Sequence, residues 1–168
     1  MIVGRAIIPN IKEARKKIEQ LGAIFKGEYI YKDIIFIPDK NNFNLSDDYL
    51  KLRVYTENNW PTKNFRLVRK IRGKSVLKQE FDSEKASLKF INDEFSAEFK
   101  RGFEFSRTGW QYDLKNNHIF VEDVENFKPT IEIESESEPE LKSLFDQIGI
   151  VEKLTESMPE IMKRIKIV

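Results

Sequence analysis

Apolar and polar residues alternate one by one along several short segments of the chain, which is the pattern of β-strands that bury one face. The clearest case is residues 49–56, where Leu50 and Leu52 share one face and Lys51 and Arg53 share the other. Seven further strands are predicted over residues 1–8, 29–37, 64–71, 74–82, 103–114, 118–124 and 129–135.

Turn-forming residues separate these segments. Arg72-Gly73 lies between two predicted strands and predicts a tight hairpin. Polar stretches predict loops over residues 40–48 and 57–63. Trp60, within the second loop, is interpreted as a packing residue rather than a ligand stacker.

Three segments repeat apolar residues every three to four positions, the spacing of amphipathic helices. They begin after the capping residues Asn10, Ser83 and Ser137, and the first and third end at Gly22 and Gly149. The second segment carries Leu88, Ile91, Phe95 and Phe99 at helical spacing, and a short last helix is predicted over residues 157–165.

Strands outnumber helices in this pattern, and strands and helices do not alternate along the chain. The order predicts an α+β fold: about eight strands in a large antiparallel sheet that curls or closes into a barrel-like tunnel, with the helices packed outside. The length predicts a single domain over residues 1–168. There is no Gly-rich phosphate loop and no internal repeat, which argues against a nucleotide-binding α/β fold.

Composition excludes several classes of site. With 29 basic and 28 acidic residues the net charge is +1, which gives no global electrostatic reason to expect nucleic acid or membrane as a partner. The absence of cysteine rules out disulfides and thiolate chemistry, and His118, the one histidine, cannot make a His-rich zinc site. There is no signal-peptide pattern and no apolar run of about 18 residues, so we expect a cytoplasmic protein.

Charged residues occupy one alternating face of several strands. Glu132 and Glu134 share a face of the strand over residues 129–135, and two carboxylates that point into one space can hold a divalent cation. Similar alternation occurs at Lys51/Arg53, Arg66/Lys70 and Lys78/Glu80. On an open sheet these residues form a solvated face with cross-strand ion pairs. In a closed sheet they would line a tunnel for a polyphosphate and a bound metal ion, and periodicity leaves both arrangements open.

Several short motifs follow one another along the chain. They are Ile18-Glu19-Gln20-Leu21-Gly22-Ala23, Tyr31-Lys32-Asp33-Ile34-Ile35-Phe36, Leu50-Lys51-Leu52-Arg53, the strand over residues 65–70 that ends in Lys70, Lys78-Gln79-Glu80, Phe120-Val121-Glu122, Ile131-Glu132-Ile133-Glu134 and the segment over residues 154–162. Together they cover nearly the whole length and resemble the CYTH superfamily of triphosphate tunnel proteins, which includes class IV adenylate cyclases and thiamine triphosphatases. The cyclase-like branch is the most similar.

The N-terminal ExExK signature of that superfamily is degenerate in this chain. Its three positions fall on Met1, Val3 and Arg5, so the positive charge is kept and both acids are absent. A KxR pair that is frequent in the superfamily falls on Arg107 and Gly109, so the second cation is absent as well. Fewer carboxylates predict a weakened metal site.

The resemblance implies a set of site residues. Phosphate-binding side chains would be Arg5, Lys51, Arg53, Lys70, Lys78 and Arg107. Metal ligands would be Glu122, Glu132 and Glu134, with Glu80 as an additional acid, and Mg²⁺ or Mn²⁺ would be the cofactor.

Two functions follow from the resemblance. The first is a metal-dependent enzyme that hydrolyses or cyclises a triphosphate compound, as a triphosphatase or an adenylate cyclase-like protein. The second is a module that binds a phosphorylated anion without turnover. In both, the expected partner is a triphosphate or nucleotide-like small molecule, and a homodimer is the expected assembly to test.

Overall fold

This computed structural model describes residues 1–57 and 64–166, which contain nine strands and four helices. The strands are β1 (Ile2–Ile7), β2 (Ile24–Pro38), β3 (Asp48–Glu57), β4 (Phe65–Ile71), β5 (Lys74–Phe81), β6 (Phe99–Leu114), β7 (Asn117–Val124), β8 (Thr130–Ser135) and β9 (Glu152–Leu154). The helices are α1 (Ile11–Gln20), α2 (Glu84–Phe95), α3 (Glu138–Ile148) and α4 (Met158–Lys166). The predicted loop over residues 57–63, with Trp60, lies outside the described residues apart from its first position.

The strands form a large antiparallel sheet, so the predicted α+β class is confirmed. Hydrogen bonds join them in the order β5-β4-β3-β2-β6-β7-β8-β1-β9. Because β5 and β9 end this order, the hydrogen bonds of the described residues do not close the sheet, and the tunnel stays a prediction. The ninth strand, β9, was not predicted: it has three residues and forms by pairing with β1.

The chain divides into two compact units, which leaves the single domain a prediction. The first unit contains residues 1–30 and 107–155. In it, α1 and α3 pack on one face of the sheet, and Ile18, Phe145 and Ile131 are among the buried side chains between them. Polar residues at the alternate strand positions therefore lie on the other face.

The second unit contains residues 31–106 and 156–168, described here to residue 166. Leu50, Leu52 and Leu67 pack with Ile91 of α2 in its core. Phe99 was predicted as the last apolar position of α2, and this prediction was wrong. The helix ends at Phe95, and Phe99 begins β6. Phe99 still packs into the same core as the apolar residues of α2, which is why it continued their spacing in the sequence.

Local capping signals define the helix starts as predicted. Oδ1 of Asn10 accepts the Glu13 N–H at 2.9 Å, and Oγ of Ser83 accepts the Ala86 N–H at 3.0 Å. Ser137 caps α3. None of the helices in the described ranges is long and apolar enough to cross a membrane.

The hairpin between β4 and β5 also forms where predicted. Both turn residues have positive φ, 49° at Arg72 and 79° at Gly73. This is the signature of a type I′ turn, whose twist matches that of the flanking strands.

Candidate functional site

The first charged surface lies on β1 and β8 of the first unit. In their antiparallel ladder Arg5 is opposite Glu132 and Val3 is opposite Glu134. Ile131, adjacent to Glu132 on β8, is fully buried in the core below α1 and α3, so both glutamates point to the helix-free face of this unit, half-buried. The predicted sharing of a face is confirmed.

Arg5 and Glu132 form an ion pair across this ladder. Their side chains are 23% and 21% exposed, so the pair is only partly screened by water. Val3, where the resemblance leads us to expect a glutamate, is 54% exposed. On this surface Arg5 therefore pairs with the Glu132 carboxylate, and the apolar residue Val3 lies opposite Glu134.

A second charged pair, Arg107 and Glu122, is buried within the same unit. Nη1 of Arg107 donates to Oε1 of Glu122 at 3.0 Å, and both side chains are 5% exposed. The Tyr29 hydroxyl donates to Oε2 of Glu122 at 2.6 Å. Each carboxylate oxygen of Glu122 therefore has a strong donor, and an anion at Arg107 or a cation at Glu122 would have to compete with this network.

Gly109 makes room for that network. It is opposite Glu122 in the β6–β7 ladder, and a Cβ placed on it would overlap the ring of Tyr29 at Cζ. The space beside Gly109 is thus filled by the ring of a tyrosine from β2.

A Gly109→Ala variant is therefore expected to be destabilised by about 1–3 kcal/mol, because the added methyl group overpacks a buried ring. Chemical denaturation would measure the loss. In a Tyr29→Ala/Gly109→Ala double variant, the combined loss should be smaller than the sum of the two single losses. Strictly additive losses would contradict the proposed steric contact.

The second charged surface, which we call the cationic face, lies on β3, β4 and β5 of the second unit. It consists of Lys51, Arg53, Arg66, Lys70 and Lys78, and Glu80 is an acid on the same face. The strand register forms two rows across β3, β4 and β5. One row is Lys51, Val68 and Lys78, and the other is Arg53, Arg66 and Glu80. Leu50, Leu52 and Leu67 point to the other side and are fully buried. The alternation read from the sequence is confirmed on all three strands.

Arg53 is the most constrained member of the cationic face. Its Nε and Nη2 donate to the two carboxylate oxygens of Asp33 at 2.8 and 2.9 Å, and its guanidinium lies 3.9 Å from the ring centroid of Tyr31. Burial is the largest single influence and lowers the pKa of Arg53, but Asp33, Tyr31 and Tyr55 together raise that pKa well above its ordinary value. Asp33 itself is fully buried, so this bidentate pair holds Arg53 in one orientation.

Tyr49 lies on the same strand face as Lys51 and Arg53. Burial first, and then the carboxylates of Asp33 and Glu160, raise its pKa to about 12. The phenol therefore stays neutral and can donate a hydrogen bond at neutral pH.

Sequence reasoning missed the residues that support the charged groups. Tyr29 and Asp33 were read only as parts of a strand, although each contacts a predicted site residue. A buried acid within the apolar segment Asp33-Ile34-Ile35-Phe36 was the available signal, since acids are rarely buried without a partner. His118, the one histidine, lies with its Nδ1 2.8 Å from Oδ1 of Asp113 and is opposite Glu134.

The predicted metal ligands do not fit a metal centre well. Among the described residues, no group of three or more His, Asp or Glu side chains is arranged to hold a metal ion. Glu132 is paired with Arg5, and Glu122 with Arg107 and Tyr29. Because hard cations need several converging oxygen ligands, this donor set favours internal ion pairs.

Comparison with known proteins identifies the fold. No protein-family model and no curated protein matches the sequence. Among solved structures, the PH1819 protein of Pyrococcus horikoshii has a TM-score of 0.76 and 18% identity over 100% of both chains. A putative adenylate cyclase from Vibrio parahaemolyticus has a TM-score of 0.74 and 11% identity over 96% of this chain and 97% of its own.

A putative adenylyl cyclase from Hippeastrum, described as having a dominant triphosphatase activity, has a TM-score of 0.66 and 16% identity. The match covers 98% of this chain and 96% of that one. At such identities the likeness establishes the fold alone. Over almost its whole length, this chain therefore shares its fold with proteins described as putative adenylate cyclases, in agreement with the fold implied by its CYTH resemblance.

Proposed function

We propose that this protein binds a triphosphate or another multivalent phosphorylated anion through the cationic face of β3, β4 and β5. The observation that carries the proposal is the charge of that face: Lys51, Arg53, Arg66, Lys70 and Lys78 lie on three adjacent strands, and Glu80 is an acid of the same face among the side chains that the structure describes. Lys and Arg side chains gathered on one face of a sheet create a local positive potential, which attracts a polyanion.

The side chains of the cationic face suit such a ligand. Arg53 is oriented by Asp33, and planar guanidinium groups bind phosphate oxygens through paired hydrogen bonds. Lys78 is exposed, whereas Lys51 and Lys70 are half-buried, so all three can supply charge at the surface of the sheet. Multivalent anions should therefore bind better than monovalent ones.

The carboxylates support binding that needs no resident metal. Glu132 is engaged by Arg5, and Glu122 is engaged by Arg107 and Tyr29. Glu134 differs from Glu132 in having Val3 rather than a cation opposite it on β1. The binding module is for this reason the function that the geometry supports best.

A metal-dependent triphosphatase or adenylate cyclase-like enzyme is the second candidate. It is favoured by the shared fold with putative adenylate cyclases, one of which is described as having a dominant triphosphatase activity. In that case Glu132 and Glu134 would be the first residues to test as Mg²⁺ or Mn²⁺ ligands, with Glu122 and Glu80 as further acids.

Calorimetric titration with tripolyphosphate, ATP and orthophosphate tests the proposal. In the presence of EDTA we expect tripolyphosphate and ATP to bind, and Lys51→Ala/Lys70→Ala to weaken binding at least tenfold, since each lost charged hydrogen bond costs about 1.5–3 kcal/mol. Lys89→Ala is the matched control, because Lys89 lies on α2 and pairs with Asp93. The Lys89→Ala variant should bind tripolyphosphate and ATP with the affinity of the wild type.

Three outcomes would count against metal-free binding through this face. The first is an absence of binding in EDTA, and the second is equal affinity in the double variant and the wild type. The third is phosphate release with Mg²⁺ or Mn²⁺ that disappears in Glu132→Ala. That result would establish the enzyme instead.

A further inference from the structure

Strand β5 is an edge of the sheet. It pairs with β4 from Lys74 to Phe81, with a register shift that leaves Val76 without an opposite residue on β4. It stands last in the strand order, so within the described residues it has a strand neighbour on one side only. Its eight residues are exposed or half-buried, and Val76 is 56% exposed. An antiparallel edge of this length presents about half of its N–H and C=O groups outward, which is a template for another strand.

The sequence of β5 is complementary to itself when read in the opposite direction. In an antiparallel pair of two β5 strands centred on Gln79, Lys78 of each copy is opposite Glu80 of the other. The same register places Leu77 opposite Phe81 twice. Opposite charges and paired apolar side chains are the cross-strand combinations that stabilise a sheet.

We propose that two copies of this chain associate through their β5 strands, antiparallel and in the register centred on Gln79. Registers centred on Lys78 or Glu80 would place Lys78 opposite Lys78, or Glu80 opposite Glu80, and like charges directly opposite one another are unfavourable. The favoured register is two-fold symmetric, so each favourable contact occurs twice, as in the self-complementary interfaces of most homodimers.

Charge complementarity selects a second copy as the occupant rather than an unrelated strand. Glu80 already lies 3.2 Å from Arg66 on β4, and both side chains are more than a third exposed. Lys78 of a second copy would extend this pair into a row of alternating positive and negative side chains across the interface. The arrangement does not depend on the anion-binding function proposed above.

Sedimentation velocity and light scattering of the full chain test the association. The mass should rise with concentration towards about 40 kDa, twice the 19.9 kDa of one chain, over the micromolar range typical of small interfaces. A wild-type protein that stays at the monomer mass up to about 200 µM would overturn the proposal.

Charge reversal tests the register. Lys78→Glu and Glu80→Lys should each be monomeric, because each places like charges opposite one another. An equimolar mixture of the two variants should recover the dimer, since the glutamate introduced at position 78 of one chain then meets the lysine introduced at position 80 of the other. Lys74→Glu is the matched control, because Lys74 lies beyond the paired residues in this register and the variant should dimerise as the wild type does.

Circular dichroism of each variant separates lost association from lost folding. The proposal fails if both folded single variants remain dimeric, since the dimer would then use another surface. It also fails if the mixture stays monomeric, or if the wild-type dimer is disrupted equally by Lys74→Glu.

Discussion

An Arg53→Ala variant is expected to lose about 3–5 kcal/mol of unfolding free energy, because it leaves the buried Asp33 carboxylate without its bidentate partner. Asp33 is fully buried, and both of its carboxylate oxygens accept hydrogen bonds from Arg53 at 2.8 and 2.9 Å. The truncation also removes the guanidinium that lies over the Tyr31 ring. Urea denaturation at neutral pH would measure the loss.

Arg66→Ala is the matched control for this prediction. Arg66 is directly opposite Arg53 on the neighbouring strand, but its ion pair with Glu80 is exposed. Its loss should cost at most about 1 kcal/mol. Adding Asp33→Asn to Arg53→Ala should restore part of the stability, since no buried charge would then remain. A double variant as unstable as Arg53→Ala would contradict the charge-based explanation.

A Glu122→Ala variant is the second change with a large expected effect. It leaves the Arg107 guanidinium buried without its carboxylate and removes the acceptor of the Tyr29 hydroxyl. We expect a loss of about 3–5 kcal/mol, again because an uncompensated charge stays in a site that is 5% exposed. Thermal or urea denaturation followed by circular dichroism would detect it.

Glu132→Ala provides the comparison within the same sheet. Glu132 also pairs with an arginine, Arg5, but both side chains are more than a fifth exposed. Its removal should cost much less than that of Glu122, because water can solvate the remaining arginine. Equal losses for the two variants would show that burial does not distinguish these pairs.

Much of the local structure was predictable because its causes are local. Alternation over residues 49–56 placed Leu50 and Leu52 on one face and Lys51 and Arg53 on the other, as observed, and the structure buries the face of the two leucines. Strand geometry makes this assignment independent of the partner strand. Helix caps and the β4–β5 turn likewise depend on residues within a few positions of one another.

Local patterns failed where a residue's role depends on distant parts of the chain. Phe99 continued the helical spacing of α2 but begins β6, because the core accepts an apolar side chain from either element. Residues 152–154 carry no strand pattern, and they become β9 by pairing with residues 5–7 of β1, near the other end of the chain. The spacing of apolar residues indicates which face of an element is buried, but it does not indicate which other element packs on that face.

By itself, the sequence determined the α+β class, the antiparallel character of the sheet, and the strand faces that carry charge. It also placed Met1 and Val3 where the resemblance leads us to expect acids. Only the tertiary structure decided how the remaining charges are used. Arg5 pairs with Glu132, 127 residues away, and the Tyr29 hydroxyl reaches Glu122, 93 residues away, across the space that Gly109 leaves open. Side-chain alternation is a property of neighbouring residues, whereas the partner of a charge is chosen by strand register and burial, which exist only after the chain has folded.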